Sequence, residues 1–289
     1  MGYSTRSGKS GMTKRLAYLG PPGTYSEQAA LAHDAEAELL PFPSFASAAA
    51  AVDSGGADQA VLPIENSLEG AVTDTLDVLI HQSPLFIRNE IVVPIHHCLV
   101  IEAEADADQI EVIYSHPQSL AQCRRFLEKR FPGIGQVASL SNSAAVEDMQ
   151  KSTLRAAAIA PERAAEIYGA RVVERGVQDD PNNLTRFVVL ATSDHPRTGA
   201  DKTSICFDFG DDAPGILHAV LGEFSSRGIN LSKIESRPTR RTLGRYIFLV
   251  DVEGHREDPL MAEALASVEA QVSTFKVFGS YPMHVSSAV

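Results

Sequence analysis

Polar clusters stand at the ends of four short apolar runs in this 289-residue chain, and they are where chemistry could be done. GPPGTYS (20–26) follows Tyr18-Leu19, ENSLEG (65–70) follows Leu62-Pro63-Ile64, SHPQS (115–119) follows Val112-Ile113-Tyr114, and SNSAA (141–145) follows Ser139-Leu140. At a strand-to-helix junction such residues suit an anion, because a helix N-terminus offers unpaired N–H groups and roughly half a positive charge. Ordinary N-capping also selects Ser, Thr and Asn, and it suffices for any one junction. Four junctions, each richer in polar residues than capping requires, point to an anion-binding cleft outside the carboxyl ends of the strands. His116 is a candidate acid, although a histidine after a strand more often makes a structural hydrogen bond. His96-His97 fall in a strand-like stretch, where core packing outweighs ligation.

The elements that position these clusters alternate in type. Arg15–Leu19, Leu39–Phe42, Gln59–Ile64, Glu111–Tyr114, Gly135–Leu140 and Ala156–Ala160 read as strands. Ser26–His33, Phe45–Val52, Gly70–His81, Ser119–Arg130, Ala144–Gln150 and Glu162–Tyr168 read as helices. That alternation implies βαβ units and a parallel sheet. Leu85–Ile101 has no helix and is longer than one strand needs, so it is expected to cross between two α/β lobes. Arg171–Val177 and Thr185–Leu190 return the chain, leaving a cleft between the lobes. ATSDHPRTGAD (191–201) loses all periodicity and reads as a linker. Beyond it come an alternating strand (Ile205, Phe207, Phe209), a helix opened by Pro214-Gly215, a strand pair joined by a basic loop (237–245), a helix and a strand. That order is βαββαβ, a ferredoxin-like unit. The expected division is a flexible tail at 1–13, with Met12 an alternative start, an α/β domain at 14–192, a linker at 193–201 and a second domain at 202–285.

Charge narrows the partners. The formal net charge is −12, and residues 14–192 hold 13 basic and 24 acidic residues, net −11. An acidic surface argues against nucleic acid and anionic membranes. No apolar run approaches the roughly 18 residues that span a bilayer, and the N-terminus has no signal-like apolar stretch, so a cytoplasmic protein is expected. Cys98, Cys123 and Cys206 are odd in number and far apart, with no zinc-ligand spacing, and read as reduced, packed thiols.

GPPGTYSEQAA, PIENSLEGAV, YSHPQSLAQC and NNLTRFVVL, in that order, resemble the motifs of the prephenate dehydratase family. GILH (215–218) and ESRP (235–238) resemble the ACT regulatory domain attached to that enzyme. Ile216 departs from the pattern, since many relatives carry Ala or Ser there. The resemblance implies a two-lobed α/β domain like the type II periplasmic-binding-protein folds, followed by an ACT domain. It implies decarboxylative dehydration of prephenate to phenylpyruvate, without metal or cofactor. Arogenate is the rival substrate, and a non-catalytic amino-acid-sensing or solute-binding module the rival class. L-Phenylalanine is the implied effector, acting on a homodimer or homotetramer.

The resemblance also assigns residues. Thr185 would assist the departing hydroxyl, with Asn66, Ser115 and Gln122 as polar cleft residues. Arg186 would clamp a substrate carboxylate, with Thr24, Ser26 and Phe187 completing the substrate site. Gly215, Leu217, His218, Asn230, Leu231, Glu235 and Ser236 would hold the effector. Glu65 is left out, because a carboxylate there would repel a dianion unless turned away.

Overall fold

Three sheets organise the chain. The computed structural model describes residues 13–211, 213–239 and 244–284. The tail through Met12, Asp212 beside the expected effector turn, and residues 240–243 of the basic loop lie outside the described residues. The first lobe begins with β1 (Arg15–Leu19), α1 (Tyr25–His33), β2 (Glu38–Phe42), α2 (Phe45–Asp53) and β3 (Gln59–Asn66). It continues with β4 (Gly70–Ala71), α3 (Thr73–Asp77, extended by one π-helical turn over Val78–Gln82) and β5 (Phe86–Pro94). The second lobe comprises β6 (Cys98–Ile101), β7 (Val112–Ser115), α4 (Pro117–Gln122), α5 (Arg124–Arg130), β8 (Gly135–Ala138), α6 (Asn142–Lys151), β9 (Ala156–Ala160), α7 (Glu162–Tyr168) and β10 (Arg171–Arg175). β11 (Leu184–Ala191) returns to the first lobe. The C-terminal unit is β12 (Asp201–Asp208), α8 (Ile216–Ser225), β13 (Leu231–Pro238), β14 (Tyr246–Glu253), α9 (Pro259–Glu269) and β15 (Thr274–Pro282).

Strand order is β2-β1-β3-β11-β5 in the first lobe, β10-β6-β9-β7-β8 in the second and β13-β14-β12-β15 in the third sheet. The βα units pair in parallel, whereas β11 enters its sheet antiparallel to both β3 and β5. β9 reads Ala-Ala-Ala-Ile-Ala and is buried throughout, as a central strand covered on both faces must be. Two connections join the lobes: residues 95–97 between β5 and β6, and residues 176–183 between β10 and β11.

Two expected helices are remade. Gly70 and Ala71 do not open a helix but pair with Asn66 and Glu65 as a short hairpin, with Gly70 at φ 82, and the helix starts only at Thr73. The expected helix Ser119–Arg130 is two, broken where Cys123 leaves helical geometry (φ −111, ψ 17).

The third sheet buries one face under α8 and α9, around Phe207, Phe224, Val250 and Leu265. Its other face joins the core of the first lobe: Cys206, Leu249, Phe278 and Tyr281 pack with Leu79, Leu85, Ile87 and Val188 in one cluster. β15 crosses β5 so closely that a Cβ on Gly279 would stand 2.3 Å from the Ile87 carbonyl oxygen, and Gly279 holds φ 141. No helix of the described residues is long and apolar enough to cross a membrane.

Candidate active site

The antiparallel pairing of β11 with β3 sets Thr185 opposite Asn66 and Arg186 opposite Glu65. Successive residues of a strand point to opposite faces of the sheet, so these two pairs serve different surroundings. Thr185 and Asn66 are buried side by side, with Asn66 Nδ2 donating to Thr185 Oγ1 at 2.9 Å. The amide is oriented unambiguously: Asn66 Oδ1 accepts the backbone N–H groups of Leu68 and Glu69, each at 3.0 Å. Its nitrogen therefore faces Thr185. A hydroxyl that accepts on one lone pair keeps its own proton to donate elsewhere.

From Asn66 the polar chain runs to the hinge and across it. Asn66 Nδ2 also donates to Asn183 Oδ1 at 2.7 Å, and Asn183 Nδ2 donates to Gln122 Oε1 at 3.0 Å. Asn183 belongs to the returning connection, whereas Gln122 ends α4 in the second lobe. His97 Nε2, from the other connection, lies 3.0 Å from the same Gln122 oxygen, and His97 Nδ1 lies 3.1 Å from the Tyr25 hydroxyl on α1. Because Gln122 Oε1 only accepts, the network assigns the His97 proton to Nε2. The Tyr25 hydroxyl proton then faces two acceptors, His97 Nδ1 and the His96 carbonyl at 2.8 Å. Burial lowers the His97 pKa from 6.5 and pushes Tyr25 well above 10, so both groups are neutral near pH 7. Both lobe connections thus meet Thr185 through one chain of hydrogen bonds.

The second lobe adds a smaller cluster. The Ser115 hydroxyl is fully buried and donates to the Ile159 carbonyl at 2.7 Å, with Asn142 Oδ1 at 3.3 Å. Ser119 donates to that same Asn142 oxygen at 2.8 Å. Lobe meets lobe where Gly23 (φ 85) passes α6 and α7: a Cβ there would stand 2.7 Å from Ser143 Oγ and 3.0 Å from Ala164 Cα.

Several expected site residues are placed elsewhere. Arg186 does not reach toward Thr185: its guanidinium lies 3.2 Å from Glu65, 3.3 Å from Glu90 and 2.9 Å from Asp251 of the C-terminal unit. The strand pleat is the cause, and it corrects the expected carboxylate clamp. Glu65 is turned away with it. Phe187 lies in the first-lobe core with Leu16, Tyr18 and Val61 rather than in a cleft wall. The Thr24 hydroxyl is spent within the chain, donating to the Leu19 carbonyl at 3.3 Å and capping α1 through the Glu27 N–H at 3.4 Å. Ser26 is buried in the first turn of α1. The anion expected at this junction is already present as Glu27, whose carboxylate takes the Gly23 N–H at 2.7 Å. His116 caps α4 through the Gln118 N–H at 3.3 Å, and burial lowers its pKa.

Tyr25, His97, Asn183 and Asn142 escaped the sequence-based assignment. Tyr25, Asn183 and Asn142 stand inside the polar clusters and motifs already singled out, so their signal was proximity. His97 was expected to be packed in the core and is buried, but its hydrogen bonds to Gln122 and Tyr25 cannot be read from a strand-like run.

The expected effector residues sit at the turn into α8 and along β13, the edge strand of the third sheet. Gly215 (φ 85) starts α8 in open space, where a Cβ would meet no described atom within 4 Å, and His218, Asn230 and Ser236 are exposed. Leu217, Leu231 and Glu235 are half-buried. Asn230 donates to Glu253 at 2.7 Å, and Glu235 pairs with Lys233 at 3.3 Å.

Comparison with known proteins agrees with this architecture. The family model described as prephenate dehydratase matches residues 16–195, and that described as ACT domain matches residues 204–270. A bifunctional chorismate mutase/prephenate dehydratase of Stutzerimonas stutzeri is 40% identical over 94% of this chain and 74% of its own length. Arogenate dehydratase 1 of Petunia hybrida is 39% identical over 96% of this chain and 68% of its own. The crystal structure of an Arthrobacter aurescens prephenate dehydratase in complex with L-Phe superposes with a TM-score of 0.85, at 36% identity, covering 93% of this chain and 90% of that one. With its paired lobes and its C-terminal ACT domain, the chain belongs to the prephenate dehydratase family.

Proposed function

We propose that this protein converts prephenate to phenylpyruvate, with Thr185 assisting departure of the ring hydroxyl. The observation that carries the reading is the Asn66–Thr185 bond at 2.9 Å, which occupies a threonine lone pair and leaves the hydroxyl proton for a leaving oxygen. Loss of carbon dioxide supplies the electron pair that aromatises the ring as the C–O bond breaks. The departing hydroxide takes up one proton and leaves as water. An alcohol is too weak an acid to drive this alone, so Thr185 acts by position and by stabilising charge on the leaving oxygen. Gln122 and Asn183 hold the threonine's partner in place, and Ser115 acts through the packing of the second lobe. Aromatisation makes the chemistry downhill, which suits a site built from neutral hydrogen-bonding groups.

The test is release of phenylpyruvate from prephenate by the purified chain. Thr185→Ala is expected to lower kcat at least about a hundredfold, the scale of losing one donor to a developing oxyanion. Activity within a few fold of the parent would remove Thr185 from this role. The Petunia relative's name makes arogenate the second reading, and kcat/KM for the two substrates decides between them.

L-Phenylalanine is the proposed effector, bound at the α8 turn (Gly215, Leu217, His218) and the β13 edge (Asn230, Leu231, Glu235, Ser236). Support comes from the Arthrobacter relative solved with L-Phe. β13 is an edge strand carrying an exposed Ile234, 49% accessible, which favours pairing with a second copy. A homodimer or homotetramer in the cytoplasm follows from this reading.

A further inference from the structure

We propose that Arg186 is a positioning residue that aligns Thr185 from the opposite face of β11, and that Asp251 of the ACT domain is its anchor. The inference rests on the reading of Thr185 given above. Arg186 is the next residue along β11, so what fixes its side chain fixes the peptide that carries Thr185. The two ladders hold this segment unequally: β5 pairs with Leu184 through Val189 in unbroken register, whereas β3 carries an extra residue, Ile64, between the partners of Arg186 and Phe187. The bulge bends β3, the strand that carries Asn66 and Glu65, so the pairing of Thr185 with Asn66 depends on side-chain ties between β3 and β11 as well as on the ladder.

The C-terminal domain anchors those ties. Asp251 reaches Arg186 at 2.9 Å and is itself oriented by the Ser204 hydroxyl, which lies 2.6 Å from the Tyr281 hydroxyl. Glu90, the second carboxylate on Arg186, accepts Lys202 Nζ at 2.8 Å and the His284 N–H at 2.7 Å, both from the same domain. Glu65, the third, takes Lys233 Nζ at 3.1 Å. Each carboxylate on the arginine is therefore shared with the ACT domain, and Glu90, Asp251, Ser204 and Tyr281 are buried. Charges so withdrawn from water tolerate few arrangements, because each unpaired alternative is costly.

The geometry assigns the ACT domain a part in holding the active site itself. In the full-length chain, Asp251→Asn is expected to lower kcat on prephenate about ten- to a hundredfold with KM little changed, the scale of a small misplacement at a reacting group. Asp251→Glu, which keeps the charge, should recover most of that loss. Arg237→Gln cuts a different interdomain pair, with Asp77 at 3.1 Å, and should leave kcat within about twofold. If Asp251→Asn does not fold, Ser204→Ala removes one hydrogen bond from Asp251 and no charge, and should still lower kcat measurably. Parental kcat in whichever of these two variants folds overturns the proposal, as does an equal loss in Arg237→Gln, which would mean that docking in general matters. A parent chain inactive on prephenate overturns instead the function on which the proposal rests.

Discussion

At Thr185 the decisive bond is one it receives. Asn66 is locked by two backbone N–H groups, so it can only donate toward the threonine, and a side chain as weakly acidic as an alcohol becomes directional. His97 serves the same chain from inside the protein, where burial disfavours its charged form. Burial holds its folded pKa below 6.5, so the unfolded chain takes up the proton first as pH falls. Stability from keeping His97 neutral is present above 6.5 and is lost as pH drops toward the folded value. His33 and His116 are depressed by burial in the same way, so the comparison must be with a variant. The melting temperature of the parent is expected to fall more between about pH 7 and pH 5 than that of His97→Gln. Parallel curves would show that His97 does not titrate with unfolding.

Among the elements, the turn before α1 has the tightest role. Its Gly23 faces Ser143 and Ala164 of the other lobe across less than a side chain's width, in a backbone conformation that L-residues avoid. Gly23→Ala should strain the turn and hold the lobes apart, with the melting temperature lowered and kcat/KM of the folded variant falling by about tenfold or more; unchanged kinetics would mean that the lobes need not approach there. Strand and helix alternation made these elements legible in the sequence, because burial on one or both faces leaves a period. β3, β9 and α7 lie where their apolar patterns put them. Gly70-Ala71 did not, since a two-residue hairpin has no period to read. Arg186 is the instructive case. Alternation already says that Thr185 and Arg186 face opposite ways, yet only the docked third sheet decides which face holds water and which holds Asp251.

At the scale of the whole chain, the excess of negative charge acquires a sharper meaning. Arg186 is committed to three carboxylates and cannot draw in an anion, so residues 14–192 carry a net −11 without that expected counterweight in the cleft. A dianion approaching this domain meets repulsion, which salt screens over roughly 8–10 Å at physiological strength. kcat/KM for prephenate is expected to rise as salt is added from low ionic strength, and a steep fall would reveal an attractive basic cleft.

The close crossing at Gly279 bears on how freely such a chain can be rearranged. Leu79, Leu85, Ile87 and Val188 are covered by the ACT sheet as by any interior layer. A cut at residues 193–201 would lay that layer bare as a contiguous greasy face, the kind that drives aggregation. The two halves differ in pattern, one alternating α/β and one βαββαβ, yet they are not interchangeable parts. Grafting a foreign sensor onto this scaffold would require a partner sheet with a glycine where β15 crosses β5, and a carboxylate where Arg186 waits for one.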